Sequence, residues 1–176
     1  MTASFICPRP VVLVSAIWGD RSNIFPMNLL GSLSDGYFAF ALDSTRLAAP
    51  LVAGAGTVAL SRIPVGRAEV AQQLGKNHKK ESIAWNGLPF PTRPSTTMGI
   101  PVPCFASRVI ELQIETTRNL GSHTLFVSRV VGDECCDAGE QLFMVHGIYQ
   151  SWRLTHGYDQ SRLASNISVV SQAQGR

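Results

Sequence analysis

Three short stretches of this chain carry side chains whose types and spacing suit chemistry. They are Asn23-Ile24-Phe25-Pro26-Met27-Asn28, Asp43-Ser44-Thr45-Arg46, and His123 behind Gly121-Ser122. In the first, Pro26 has no backbone donor and cannot sit in a central ladder. With Phe25, Met27 and Asn28 around it, the stretch offers apolar faces and free backbone groups beside a sheet edge. A flat heteroaromatic ligand needs that combination, apolar surface for its rings and a few hydrogen bonds at its rim. A plain edge strand with an irregular end is the competing reading. In the second, two hydroxyls and a guanidinium stand beside a helix start, where free N–H groups and a fork of donors can grip a phosphate. An ordinary helix cap with a solvated arginine competes with that. His123 opens a strand after a Gly-Ser turn, which aims its ring at one rim of whatever the strand belongs to.

Other chemistries find no support. The four histidines show no metal-ligand spacing, so no metal is expected, and no Ser-His-Asp order can be picked out among the many serines. Gly54-Ala55-Gly56-Thr57-Val58-Ala59 matches the G-x-G-x-x-A form of a dinucleotide fingerprint, but it follows a helical stretch and opens a strand, the reverse of what that motif requires. A net charge of +3 without a basic block gives no argument for nucleic acid. The cysteines at 7, 104, 135 and 136 contain no C-x-x-C and read as free thiols. No apolar run approaches the ~18 residues of a membrane span. The opening MTASFICPRP lacks the marks of a secretory signal, so a cytoplasmic protein is expected.

The elements that must position these residues read as mostly β. Val11 to Val14 form a buried strand, followed by a polar turn through Trp18–Asn23. Gly36–Leu42 and Thr57–Ser61 read as strands, and Leu47–Ala55 as a short helix. Val65–Leu74 is helical with Gly75 as its C-cap, and Lys76–Ser82 begins another short helix, its lysines a solvated face or, as a second reading, a phosphate contact. Asn86–Cys104 holds half of the ten prolines and reads as an ordered surface loop. Ile110, Leu112 and Ile114 alternate with Glu111, Gln113 and Glu115, and with His123–Val131 they form an antiparallel hairpin. Leu142–Val145 is a last strand. His146, Gly147, Ile148, Tyr149, Trp152 and Arg153 read as core or interface packing. A single domain over 1–158 and a loose tail over 159–176 are expected. The fold class is a closed or partly closed antiparallel barrel with short helical insertions.

The order strand, Gly-Asp-Arg, Asn-Ile-Phe-Pro-Met, then Asp43-Ser44-Thr45-Arg46 after a strand, then Gly121-Ser122-His123-Thr124-Leu125-Phe126-Val127, resembles the flavin reductase-like, FMN-binding split-barrel proteins. The resemblance covers about Pro8 to Asp133. It implies an FMN-dependent oxidoreductase, most simply an NAD(P)H:flavin reductase moving hydride from nicotinamide C4 to flavin N5. The cofactor carries the hard chemistry, so an enzymic acid–base constellation is not required. Ile24, Phe25, Pro26, Met27 and Asn28 would line the isoalloxazine, Ser44, Thr45 and Arg46 would hold the phosphate, and Ser61 and Arg62 would add polar contacts. Relatives carry an Asn near the end of the strand where this chain has Leu60 and Ser61. His123 would face the flavin or nicotinamide as the catalytic residue. The resemblance also implies a homodimer and a possible partner oxygenase. An FMN-binding electron carrier without NAD(P)H turnover, or a non-catalytic split-barrel binding module, are the alternatives.

Overall fold

The computed structural model describes residues 8–136, 140–145 and 148–149. In chain order they form β1 (Arg9–Pro10), β2 (Val12–Trp18), β3 (Arg21–Met27), β4 (Leu30–Ser34), β5 (Tyr37–Asp43), α1 (Ala48–Ala55), β6 (Thr57–Arg62), α2 (Ala68–Leu74), β7 (Thr92–Pro94), β8 (Pro101–Pro103), β9 (Arg108–Asn119), β10 (His123–Cys135), β11 (Phe143–Val145) and β12 (Ile148–Tyr149). Seven strands make one antiparallel sheet in the order β3-β2-β6-β9-β10-β5-β4. Its two edge strands, β3 and β4, are consecutive in the chain and separated only by Asn28 and Leu29. The sheet must therefore curl until its edges meet at that corner, which gives a barrel split along one seam. Pro26 sits in β3, opposite Leu13. As an edge strand, β3 tolerates the missing donor.

The unbroken apolar run Val11–Val14 is explained by burial on both sides. Val12, Val14 and Ala16 face the barrel interior with Phe25, Phe40, Leu60, Leu112 and Phe126, while Val11 and Leu13 face an outer layer with Ile24, Ala71, Leu74 and Leu142. Phe40 and Phe126 stack with ring centroids 4.9 Å apart. Helix α1 closes one end of the interior through Ala48, Ala49, Leu51 and Val52. The small sheet β1-β11-β12 lies beside the β2 face, tied to it by the Val11 N–H donating to the Leu142 carbonyl at 2.9 Å.

Several sequence expectations need correcting. Arg21, Ser22 and Asn23 are not turn residues; they begin β3 and pair with Trp18, Ile17 and Ala16. Gly75 is the C-cap of α2, as expected, its N–H donating to the Gln72 carbonyl, but not in the left-handed conformation common at that place. Its φ is −54°, and the chain runs on through a 3-10 segment, Gly75–Lys79. The proline-rich loop contains a two-stranded ribbon, β7 with β8, whose prolines are accommodated because it stands apart from the main sheet. The Gly54–Ala59 stretch does end a helix and open a strand. Cys104, Cys135 and Cys136 are free and exposed, whereas Cys7 lies outside the described residues. So do His146, Gly147, Trp152, Arg153 and the 159–176 tail. Ile148 and Tyr149 form β12. Among the described residues no His, Cys, Asp or Glu cluster is arranged to hold a metal, and no helix is long and apolar enough to cross a membrane.

Candidate functional site

At the corner where the barrel edges meet there is a cavity of about 310 Å³. Pro26, Met27, Asn28 and Leu29 form one wall, and Ala41, Leu42 and Asp43 at the end of β5 form another. Val11, Gly75, His78, His123 and Met144 complete it. A second groove, of about 580 Å³, lies on the other side of Asn28, Leu29, Ala41 and His123, which belong to both, and extends along β4 and Pro8–Pro10. The apolar walls suit a planar ring system, and Asn28, Asp43, His78 and His123 supply polar groups among them.

His123 is placed by the turn before it. Gly121 adopts a φ of +74°, a conformation that costs glycine little, and the first residue of β10 then pairs with Asp43, the last of β5. The His123 Nδ1 lies 2.9 Å from the Ser122 hydroxyl. Asp43 organises the turn that follows it. Its Oδ1 accepts the Thr45 N–H at 2.9 Å and the Thr45 hydroxyl at 2.7 Å, and its Oδ2 accepts Arg46 Nε–H at 3.3 Å. The Thr45 hydroxyl, with its N–H and the Arg46 guanidinium behind it, holds the Asp43 carboxyl below its ordinary value. The Ser44 hydroxyl pairs with that of Thr124 at 3.1 Å.

The structure therefore brings Pro26, Met27, Asn28 and His123 to one cavity, with Ser44, Thr45 and Arg46 in the turn leading away from Asp43. It does not bring Ile24 or Phe25 there. Both are fully buried, on opposite faces of β3: Phe25 packs in the barrel and Ile24 in the outer layer. Ser61 is buried within β6, and Arg62 lines a different cavity with Arg108 and Gln141.

Sequence reasoning missed the segment after α2. Asn77 is buried and donates from Nδ2 to the Ile24 carbonyl at 2.9 Å. Asn23, buried in β3, returns the bond, donating to the Asn77 carbonyl at 2.9 Å and to the Lys80 carbonyl at 3.0 Å. This reciprocal pair fixes the 3-10 segment onto β3 and sets the His78 ring against Phe25, with centroids 4.7 Å apart. His78 Nε2 lies 2.7 Å from the Pro26 carbonyl oxygen. Met144, also missed, places its sulfur 2.8 Å from Asn28 Nδ2, a weak acceptor for that amide.

A match to the flavin reductase like domain spans residues 4–153. The chain belongs to that family. Among solved structures, an FMN-binding protein from Thermus thermophilus with bound 1-cyclohex-2-enone is 23% identical, with a TM-score of 0.72 over 85% of this chain and 90% of its own. The NADH:FAD oxidoreductase of Streptomyces globisporus C-1027 is 18% identical, with a TM-score of 0.72 over 81% and 85%. The flavin reductase of styrene monooxygenase from Pseudomonas putida S12 is 18% identical, with a TM-score of 0.67 over 82% and 91%. At these identities the likeness is one of fold, the flavin reductase split barrel. No curated protein matches the chain by sequence.

Proposed function

We propose that this family member binds FMN in the corner cavity and reduces it with NADH or NADPH. The observation that carries the reading is the donor set of that cavity. Pro26, Met27, Leu29, Ala41, Leu42 and Met144 supply apolar surface, while Asn28, His78 and His123 stand among them as polar groups. Such a set fits an isoalloxazine, apolar on its faces and polar at its edge. Toward the phosphate the fit rests on Arg46, since Asp43 already engages the Thr45 donors and Arg46 Nε. A bound flavin supplies hydride acceptance at N5. The chain's own task is to hold two flat rings at reacting distance, and the groove sharing Asn28, Leu29, Ala41 and His123 with the cavity offers the second place. His123, at that shared wall, would touch the nicotinamide or the flavin rim.

The same reading includes a homodimer. Edge strand β4 is exposed from Gly31 to Ser34, and Leu33 is 60% exposed, an unpaired strand edge that a second copy would cover. Related structures include the flavin reductase component of a two-component tryptophan halogenase and that of styrene monooxygenase. Delivery of reduced flavin to a partner oxygenase is accordingly part of the proposal.

Titration of the protein with FMN and with riboflavin, followed by fluorescence quenching, tests the binding half. FMN should bind more tightly, and Arg46→Ala should weaken FMN by about tenfold or more, the size of one charge-assisted hydrogen bond, with little change for riboflavin. Equal affinities would remove Ser44–Arg46 from the phosphate site. No binding of either flavin would remove the flavin reading.

A further inference from the structure

Among the described residues of the cavity, His78 is the titratable side chain held by the main chain of the wall itself. Its Nε2 faces the Pro26 carbonyl at 2.7 Å. A carbonyl oxygen only accepts, so Nε2 carries the hydrogen and Nδ1 carries the lone pair in the neutral ring. Packing against Phe25 and the Asn23–Asn77 bonds on either side leave the ring little freedom. In its neutral form the His78 ring therefore keeps its accepting nitrogen, Nδ1, uncommitted to Pro26, on a ring lining the proposed flavin cavity.

We propose that His78 Nδ1 is the internal proton acceptor of this cavity, taking up a proton when the bound flavin is reduced and releasing it on reoxidation. This rests on the flavin reading of the cavity. A hydride brings two electrons and one proton, and so one negative charge, into a partly desolvated place. Nδ1 takes up a proton delivered from the buffered bulk solvent and becomes part of an imidazolium, which cancels that charge. Both imidazolium nitrogens then carry hydrogens, and the bond to Pro26 is kept.

The surroundings are arranged so that the ring starts neutral. Burial holds its pKa below the ordinary histidine value and Arg46 acts in the same direction, while the Pro26 carbonyl and the Asp43 carboxylate oppose them. Of the elements packed on the 3-10 segment, α1 has no titratable side chain, α2 has only Glu69, and β3 has only Arg21, which faces Glu81 at 3.5 Å. Lys76, Lys79 and Lys80 lie on the histidine's own stretch, and His123 stands across the cavity. A new negative charge in the cavity reverses the balance.

The test is the midpoint potential of the FMN-loaded protein against pH, from about pH 6 to about pH 8.5, for wild type and His78→Phe. Phe keeps the ring packing on Phe25 and removes the titration. Wild type should take up two protons per electron pair over part of that range, and His78→Phe only one over the same part. If the variant keeps the wild-type slope, the second proton rests on the flavin and the proposal is wrong. It is equally wrong if wild type takes up one proton throughout. Should His78→Phe fail to fold or to bind FMN, His78→Gln is measured instead, and 15N spectra of histidine-labelled wild type decide directly. One imidazole should pass from the Nε2–H tautomer to imidazolium on reduction, and an unchanged ring contradicts the proposal. Failure to bind FMN in the titration would overturn the flavin reading, whereas bound FMN with unchanged proton uptake overturns only the role of His78.

Discussion

The carboxylate of Asp43 accepts both hydrogens that Thr45 can give, the backbone N–H at 2.9 Å and the hydroxyl at 2.7 Å. This Asx-type turn shapes the segment Ser44–Arg46, but it also sets an internal anion where an incoming phosphate would sit. Asp43→Asn keeps an oxygen acceptor for the Thr45 N–H and removes the charge. FMN affinity should rise several-fold at low salt and the gain should shrink as salt screens it, with riboflavin unaffected. Weaker FMN binding would mean that Thr45 and Arg46 need the charged carboxylate to be placed.

His123 begins β10 opposite Asp43 and belongs to both the cavity and the neighbouring groove. His123→Ala should slow flavin reduction at saturating nicotinamide by about tenfold to a hundredfold, within the range of a single positioning or proton-handling group, with melting temperature nearly unchanged. Stopped-flow bleaching reads this directly. An unaltered rate and unaltered FMN affinity return His123 to a surface residue with no part in the chemistry.

The frame of the site was legible in local sequence where one face decided the pattern. Ile110, Leu112 and Ile114 alternate because β9 has one side in the barrel, and Val11–Val14 do not alternate because β2 is buried on both. Pro26 marked an edge strand correctly. What stayed hidden depends on partners far along the chain. Asn77 and His78 sit in a lysine-rich stretch that reads as solvated, and only the carbonyls of Ile24 and Pro26, more than fifty residues away, make them inward-facing. Ile24 and Phe25 are assigned to the ring by the resemblance, together with Pro26, Met27 and Asn28. The pleat of a regular strand sends the two into opposite layers, Phe25 with Met27 and Ile24 away from them, and the cavity wall begins at Pro26.

Glu111 gives the fold a pH dependence unrelated to the cavity. Only 2% exposed, it accepts the Ser95 hydroxyl at 2.6 Å and the N–H groups of Thr97 at 2.8 Å and Met98 at 2.6 Å. A Cβ at Gly132 would come within 2.6 Å of its Oε2, so the glycine leaves it room. Burial pushes the carboxyl up, but the hydrogen bonds from Ser95, Thr97 and Met98 outweigh it and hold the pKa below the ordinary value. A carboxyl lower in the folded state stabilises above its unfolded pKa, and that stability is lost as pH falls through the folded one. Glu111→Gln should therefore cost roughly 1–3 kcal/mol at neutral pH, about 2–4 °C in melting temperature for each kcal/mol. The difference from wild type should narrow in acid. A constant difference down to low pH would show that Glu111 is not charged in the fold.

The central claim is that this chain turns over a nicotinamide on a flavin held at the β3–β4 corner. Anaerobic mixing of the FMN-loaded protein with NADH, and separately with NADPH, tests it most directly through the visible absorbance of the flavin. Loss of that absorbance with at least one donor, far faster than for free FMN at the same concentrations, is the expected result. A protein that holds FMN yet keeps its colour with both donors would contradict the claim and leave an electron carrier in its place.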